Sequence, residues 1–297
     1  MTAIAPSIPA SLPRNREIAD VHYLASRIML YLLVFMAVSV VGFPLFWMLL
    51  CSFKPGGELY AVPPTFLPHE WTLQNYRDLF VQTNFLTYFA NSLIVAFGAT
   101  FLSLVVGGLG AYSLSRFRFF GISAFSNATL VCYMLPEVLI VLPLYIYVVK
   151  LGMADTLISL IIANTAFTLP LALWFMRSYF NAIPVSLEES AMIDGCTRLG
   201  AMMRVTVPLA LPGIVSVGVF SFNHAWNEFL FALVFVSSEN NKTLPLGLAT
   251  WIGQDNLYSW GMLLAGAVLV TIPVILFYLL VQRKLVVGLS EGGSKGE

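Results

Sequence analysis

Five long stretches of this sequence contain no aspartate, glutamate, lysine or arginine, and they constrain the fold more than any other feature. They are residues 28–53, 79–115, 156–176, 205–227 and 256–282. Each is long enough to cross the hydrocarbon core of a bilayer, which takes about 20 helical residues. Only 10% of the chain is charged and 59% is hydrophobic, which leaves too little charge to cover a water-soluble surface. The sequence therefore predicts an integral membrane protein.

A sixth candidate span is interrupted by a single charge, Glu137, and the run that begins at residue 205 continues past Glu228 to Ser238. We therefore predict an all-α integral membrane fold with six transmembrane helices in a membrane domain of residues 28–282. The predicted spans are about residues 28–52, 88–113, 122–148, 157–176, 211–236 and 260–281.

The positions of the basic residues predict the orientation, because lysine and arginine accumulate in short cytoplasmic loops. With the N-terminus inside, four of the fifteen basic residues lie outside and the other eleven are cytoplasmic. An even number of spans then puts both termini in the cytoplasm. They are a lead-in of residues 1–27 and a tail of residues 283–297. The first hydrophobic run is too long for a signal-peptide core, so we predict that it is retained.

The longest cytoplasmic loop, residues 177–210, joins the fourth and fifth spans and has the pattern of ordered structure. Ser186 followed by Glu189 is a capping-box pattern, which predicts a helix that begins one residue after the serine. Gly195 then supplies a turn, because glycine readily adopts a left-handed backbone conformation. A second short helix is predicted at about residues 197–206. The two helices would form a hairpin outside the bilayer.

The same loop resembles the cytoplasmic signature loop of ABC importer permeases. That signature runs Glu-Ala-Ala, two residues, Asp-Gly-Ala, and residues 189–196 here read Glu-Ser-Ala-Met-Ile-Asp-Gly-Cys. Other motifs are similar to the carbohydrate-uptake branch, and in particular to its second, maltose-type permease subunit. They include Ser-Phe-Lys-Pro at 52–55, Gly-Ala-Tyr-Ser-Leu-Ser-Arg at 110–116 and Ala-Trp-Asn-Glu at 225–228. The resemblance covers about residues 30–296.

The resemblance implies that the hairpin is a coupling helix that seats in a groove of an ATP-hydrolysing subunit. Glu189 and Asp194 would pair with basic groove residues there, and apolar neighbours would add contact. The alternative is that Glu189 merely caps its own helix and that the loop is a folded linker. The predicted ATPase-coupling residues are Leu187, Glu188, Glu189, Ala191, Asp194, Gly195, Met202 and Pro208.

The resemblance also implies a function and a set of partners. The chain would supply half a pore that imports a sugar or polyol across a bacterial plasma (inner) membrane by alternating access. Its partners would be a second, homologous permease subunit, an ATP-binding-cassette ATPase dimer, an extracellular or periplasmic solute-binding protein and membrane lipid, but no nucleic acid. ATP and Mg²⁺ would bind to partner subunits, because no lysine here follows a glycine, as a phosphate-binding loop requires. The chain itself would be no enzyme and would hold no cofactor.

Polar side chains inside the spans are the candidates for a translocation path, because placing them in hydrocarbon is costly. In the fifth span, Asn223 and Asn227 stand four residues apart, as do His224 and Glu228. One helix face would carry amides and its neighbour a His–Glu hydrogen bond. The amide face is suited to line a translocation path for solutes that are rich in hydroxyl groups. The alternative is that the amides form contacts with a neighbouring helix.

Two further candidates lie in other spans. Glu137 follows a proline near the midplane of the third span. A proline kink of the helix at this depth is suited to forming a gate in the translocation path. The alternative is that Glu137 pairs with a cation or amide of the sister subunit. Asn164 in the fourth span is a weaker candidate. The histidines stand far apart in sequence, so we predict no metal site, and we identify no catalytic residue.

Two other functions stay open on the sequence alone. An ion-coupled secondary transporter would use Glu137, His224 and Glu228, but it predicts inverted repeats, which we do not find, and leaves the hairpin unexplained. An intramembrane enzyme would need a nucleophile with a base, and the pair His224 and Glu228 comes nearest to that.

Overall fold

The computed structural model of the protein describes residues 14–118, 120–252 and 260–293, and within these ranges the regular structure is helical. The helices are α1 (Arg14–Ser52), α2 (Gly56–Leu59), α3 (Gln74–Gln82), α4 (Phe85–Arg116), α5 (Ile122–Tyr133), α6 (Glu137–Lys150), α7 (Leu157–Ala182), α8 (Val185–Ile193), α9 (Arg198–Ala201), α10 (Val207–Leu209), α11 (Leu211–Asn227), α12 (Leu230–Phe235), α13 (Leu244–Ile252) and α14 (Trp260–Gly293). A π-helical segment, Met202–Thr206, joins α9 to α10, and a 3₁₀ turn spans Glu239–Asn241.

Four of these helices are individually long and apolar enough to cross a membrane: α1 from Ser26 onward, α4, α7 and α14 as far as Gln282. Two more candidates are bent pairs of helices. α5 and α6 meet at 102°, and the segment Arg198–Leu209 meets α11 at 79°. The described residues thus hold four spans, or up to six if each bent pair counts as one. The six-span architecture stays a prediction.

Two predicted spans are broken helices in the structure, and in the third the break falls at the proline where a kink was predicted. The third span breaks after Tyr133, because Pro136 has no N–H to donate and disfavours helix in the residue before it. The fifth span breaks at Glu228, whose backbone is extended (φ −66°, ψ 131°), and helix resumes at Leu230.

The two ends of the chain are more helical than predicted. α1 begins at Arg14, so the second half of the predicted lead-in belongs to the first helix, whereas residues 1–13 lie outside the described ranges. α14 continues to Gly293, well past the predicted end of the sixth span near residue 281. Most of the predicted tail is therefore a continuation of that helix, and residues 294–297 lie outside the described ranges.

The centre of the fold is the packed pair α4 and α7, with α11 lying against both. Small residues let the pair approach closely. A Cβ atom added at Gly107 would lie 3.0 Å from the Cβ of Ala172. The buried hydroxyls of Ser103 and Thr168 share a hydrogen bond of 2.7 Å between the two helices. These contacts hold α4 and α7 close together.

Much apolar surface is left uncovered by the chain itself. α1 packs along α14, yet the most apolar stretch of α1 buries none of its residues. Exposed apolar surface of this extent is suited to lipid or to another subunit.

Candidate functional site

The helices α8 and α9, with the π-helical segment and α10, form a hairpin of residues 185–209. Its turn is a Schellman motif: the N–H of Cys196 donates to the carbonyl of Ala191 (3.0 Å) and the N–H of Gly195 donates to the carbonyl of Met192 (3.1 Å). Gly195 has φ +90°, the left-handed conformation expected for a glycine at this turn. A Cβ atom at Gly195 would meet no atom within 4 Å, so a side chain there is opposed by the backbone conformation alone.

The hairpin helices begin and end differently from the prediction. α8 starts at Val185 directly after Pro184, so Ser186 already lies inside the helix and the predicted capping box does not form. The second helix does begin after Thr197, whose hydroxyl accepts a hydrogen bond from the N–H of Gly200 at 3.1 Å. It then continues as π-helix and α10 to Leu209, beyond the predicted end at residue 206.

The hairpin has an exposed side and a buried side, and the predicted coupling residues are divided between them. Ala191 is half-buried. The exposed ones are Leu187, Glu189, Asp194, Gly195 and Pro208. The buried ones are Glu188 and Met202, so Met202 does not supply the predicted apolar contact to a groove and Glu188 is covered by the chain itself. Met202 packs instead in a core cluster with residues of α4 and α7.

Sequence reasoning missed several exposed apolar residues of the hairpin, and three of them are the most exposed. Ile193 is 86% exposed, Leu199 60% and Met203 56%. Ile193 lies one residue before the predicted Asp194. Large apolar side chains at this exposure next to carboxylates are typical of a protein-binding surface. The signal was present in the sequence, since Ile193 and Leu199 flank the Asp-Gly turn.

The buried carboxylate of Glu188 is fully paired within the chain. It accepts hydrogen bonds from Arg116 Nε (2.8 Å), from the Tyr112 hydroxyl (2.7 Å) and from the Thr206 hydroxyl. Burial by itself raises the pKa of Glu188, but the three hydrogen bonds and the Arg116 charge outweigh burial, so the pKa lies below its usual value. The carboxylate is therefore ionised at neutral pH.

The two amides of the fifth span lie together on an open face of α11. Asn223 and Asn227 are both exposed, and the Asn227 amide donates to the backbone carbonyl (2.8 Å) and side-chain oxygen (3.1 Å) of Asn223. The four-residue spacing thus brings the amides into contact. Because both side chains are exposed, the amide groups are accessible from outside the described chain.

The predicted pair of His224 and Glu228 does not form. α11 ends before Glu228, whose buried carboxylate accepts hydrogen bonds from the backbone N–H groups of Phe231 and Ala232, the latter at 3.2 Å. His224 Nδ1 instead lies 3.7 Å from Glu137 Oε1, an ion-pair distance, across from the start of α6. The break in the helix explains the difference, because it removes the regular spacing on which the prediction relied.

Asn164 lies in the interior of the protein. Its side chain is fully buried and donates to the carbonyl of Leu160 one turn earlier at 2.9 Å. A residue in this position does not line an open path, so its prediction as a path residue is corrected. In the part of the chain that the structure describes, no three His, Cys, Asp or Glu side chains are grouped as metal ligands.

We expect Glu228→Ala to lower the melting temperature of the purified transporter, because two buried N–H groups at the start of α12 would lose their acceptor. Each such loss costs about 1–3 kcal/mol. Glu228→Gln keeps an acceptor oxygen and should be milder. Thermal unfolding in detergent measures the effect, with Glu189→Ala, which removes an exposed carboxylate, as control. Equal melting temperatures for the two alanine variants would contradict this capping role.

A profile of the family described as "Binding-protein-dependent transport system inner membrane component" matches residues 103–286, from the middle of α4 into α14. The chain belongs to this family. The matched region includes the hairpin and α11, and the predicted resemblance to ABC importer permeases is confirmed. The chain is thus a multi-pass inner-membrane transport subunit, and the comparisons give the ion-coupled alternative no support.

Relatives match over almost the whole chain. It is 41% identical to the inner membrane ABC transporter permease protein YcjP of Escherichia coli (strain K12), over 91% of this chain and 97% of YcjP. It is 36% identical to the trehalose/maltose transport system permease protein MalG of Thermococcus litoralis, over 91% of this chain and 98% of MalG.

A solved structure has the same fold. A chain of a bacterial ABC transporter involved in the import of the acidic polysaccharide alginate superposes with a TM-score of 0.72 at 24% identity, over 93% of this chain and 99% of that one. This structural similarity confirms the predicted all-α permease fold.

Proposed function

We propose that this chain is the permease subunit through which a bacterial ABC importer moves a sugar or polyol into the cell by alternating access. The observation that carries the proposal is the exposed side of the hairpin, where no described part of the chain covers Glu189, Asp194 or Ile193. Carboxylates beside large apolar side chains suit a basic, apolar groove on an ATPase subunit. ATP and Mg²⁺ bind to that subunit, and this chain contributes no residue to hydrolysis.

The carbohydrate class is supported by two observations. MalG is named for trehalose and maltose, and the superposed transporter is named for alginate import. In this chain, the open amides of Asn223 and Asn227 offer donors and acceptors to hydroxyl groups without a charge that would favour ions. We assign these two amides to the translocation path, together with Glu137 at the bend between α5 and α6 and His224 of α11, whose Nδ1 lies 3.7 Å from Glu137 Oε1.

The assembly we propose has a second, homologous permease subunit beside this one, an ATPase dimer inside and a solute-binding protein outside. The uncovered apolar face of α1 is suited to contact either lipid or this second subunit. The family description names dependence on a binding protein.

The proposal is tested by purifying the chain with a tag from its native membrane and identifying what accompanies it. We expect an ATPase, a second permease and a binding protein, and we expect ATP hydrolysis in proteoliposomes to rise when the binding protein carries its sugar. Mass spectrometry of the solute released from the denatured binding protein then identifies the sugar. A transporter that is purified without any ATPase but still accumulates solute would contradict the proposal.

The proposed orientation, with both termini in the cytoplasm, predicts a labelling pattern. A single cysteine at Val62, which is 94% exposed, or at exposed Asn240 should react in whole cells with a membrane-impermeant maleimide. A cysteine at exposed Arg198 in the hairpin should react only after the cells are opened. The three native cysteines are first replaced by serine, because Cys132 is itself exposed. The reverse pattern would mean that the orientation is inverted.

A further inference from the structure

One arginine side chain joins three helices at the inner end of the fold. Arg116 is the last residue of α4, and its side chain is only 4% exposed. Its Nε donates to Glu188 of α8, and its two terminal nitrogens donate to the carbonyl oxygens of Phe180 (3.0 Å) and Ile183 (3.2 Å) at the end of α7. Arg116 therefore bonds two carbonyls at the end of α7 while it holds the carboxylate, although the Phe180 carbonyl also accepts from the N–H of Ile183.

The second arm of the hairpin reaches the same carboxylate. Thr206 donates to the Glu188 oxygen that also accepts from Arg116, and Tyr112 of α4 donates to the other oxygen at 2.7 Å. Thr206 is the last residue of the π-helical segment, a distortion that is frequent at functional sites. Both arms of the hairpin are therefore attached to α4 through one carboxylate.

A buried ion pair is weak grounds for expecting extra stability, because the loss of hydration offsets the attraction between the charges. What such a pair does supply is a fixed geometry, since every donor and acceptor must stay in place to remain paired. The neighbouring carboxylate, Glu189, has a different environment. Glu189 is exposed on the side proposed for docking, whereas Glu188 points from the same helix into the membrane domain.

We propose that Arg116 and Glu188 are positioning residues that fasten the hairpin rigidly to the inner ends of α4 and α7, so that displacement of the hairpin moves these two helices with it. This inference rests on the proposed docking of the hairpin to an ATPase. The movement then reaches α11, which carries the amide pair and lies against both α4 and α7. Without the attachment, the hairpin would move on its own while the spans stayed in place.

The test uses the complete complex, with ATPase, second permease and binding protein, in proteoliposomes. Glu188→Gln keeps the size of the side chain and removes its charge. Arg116→Lys keeps the positive charge but loses the planar guanidinium group, whose three nitrogens donate to three separate acceptors. We expect each variant to assemble and hydrolyse ATP, with sugar transported per ATP reduced at least about tenfold. Glu70→Gln is the control: it removes an exposed carboxylate outside the hairpin and should leave coupling at the parent level.

A distance measurement separates positioning from a general loss of structure. Spin labels on exposed Ser190 in α8 and exposed Leu109 in α4 should give one narrow distance distribution in the parent complex and a broad one in Glu188→Gln. The distances are measured well below the melting temperature of each variant, because removing one charge of a buried pair is itself expected to lower that temperature. Tyr112→Phe, which removes one hydrogen bond to the same carboxylate, should give an intermediate width.

Normal coupling in both variants, or a narrow distance distribution in an uncoupled Glu188→Gln complex, would overturn the inference. Failure of the docking proposal looks different. In that case changes at the hairpin turn, such as Gly195→Val, would also leave coupling intact, whereas failure of this inference alone would leave Gly195→Val uncoupled and Glu188→Gln normal.

Discussion

Replacing Gly195 by valine is expected to uncouple ATP hydrolysis from sugar uptake and to lower uptake at least about tenfold. The residue has φ +90° at the turn of the hairpin, and a left-handed conformation costs a residue with a side chain about 1–2 kcal/mol, with β-branched residues the least tolerant. No atom lies within 4 Å of a Cβ there, so the effect arises from the backbone rather than from a steric clash. Opening the turn displaces Ile193 and Asp194 from the exposed side.

The chain provides a matched control for this substitution at Gly152. That glycine has φ +67°, also has open space at its Cβ position, and ends α6 in the same type of turn, with Gly152 N donating to Val149 O and Met153 N to Val148 O. Gly152→Val therefore introduces similar backbone strain far from the hairpin. Uptake assays and ATPase assays on both variants make the comparison. Equal loss in both would show a general folding effect, and normal coupling in Gly195→Val would contradict docking of the hairpin.

The double substitution of Asn223 and Asn227 by leucine is expected to reduce sugar uptake at least about tenfold, while complex assembly and basal ATP hydrolysis continue. Leucine is close to asparagine in size but cannot hydrogen-bond, and each lost hydrogen bond to a solute is worth about 0.5–1.5 kcal/mol. The two amides hydrogen-bond to each other within α11. Replacing both together therefore leaves neither amide behind without its hydrogen-bond partner. Uptake of labelled sugar and size-exclusion chromatography of the complex measure the two effects.

The same experiment distinguishes a role of the two amides in the translocation path from a role in contact with the second permease subunit. If these amides bond across to the second permease, the double variant should lose that subunit on purification, because polar partners would be left unpaired in an apolar interface. Asn181→Leu, at an exposed position near the end of α7, is the control for introducing leucine on a helix surface. Uptake unchanged in the Asn223/Asn227 variant would exclude both roles.

The sequence determined the helical membrane fold, the position of the hairpin and its turn. Long uncharged stretches can satisfy their backbone groups in lipid as helices, so composition and length were enough to locate most spans. The turn at Gly195 was predictable because a glycine between two helical segments is favoured at a left-handed position. A kink at Pro136 was predicted, and the structure has a complete break of the helix there, since proline disfavours helix in the residue before it.

Only the tertiary structure decided which of two adjacent carboxylates points inward. Glu188 and Glu189 are the same residue type in the same helix, and the local pattern favoured neither for burial. The choice depends on Arg116 and Tyr112, which lie more than 70 positions earlier in the chain and come into reach because α4 packs along α7. In the same way, His224 lies beside Glu137 rather than Glu228. Spacing along a helix predicts contacts only while that helix continues, and contacts between distant segments depend on how the helices pack.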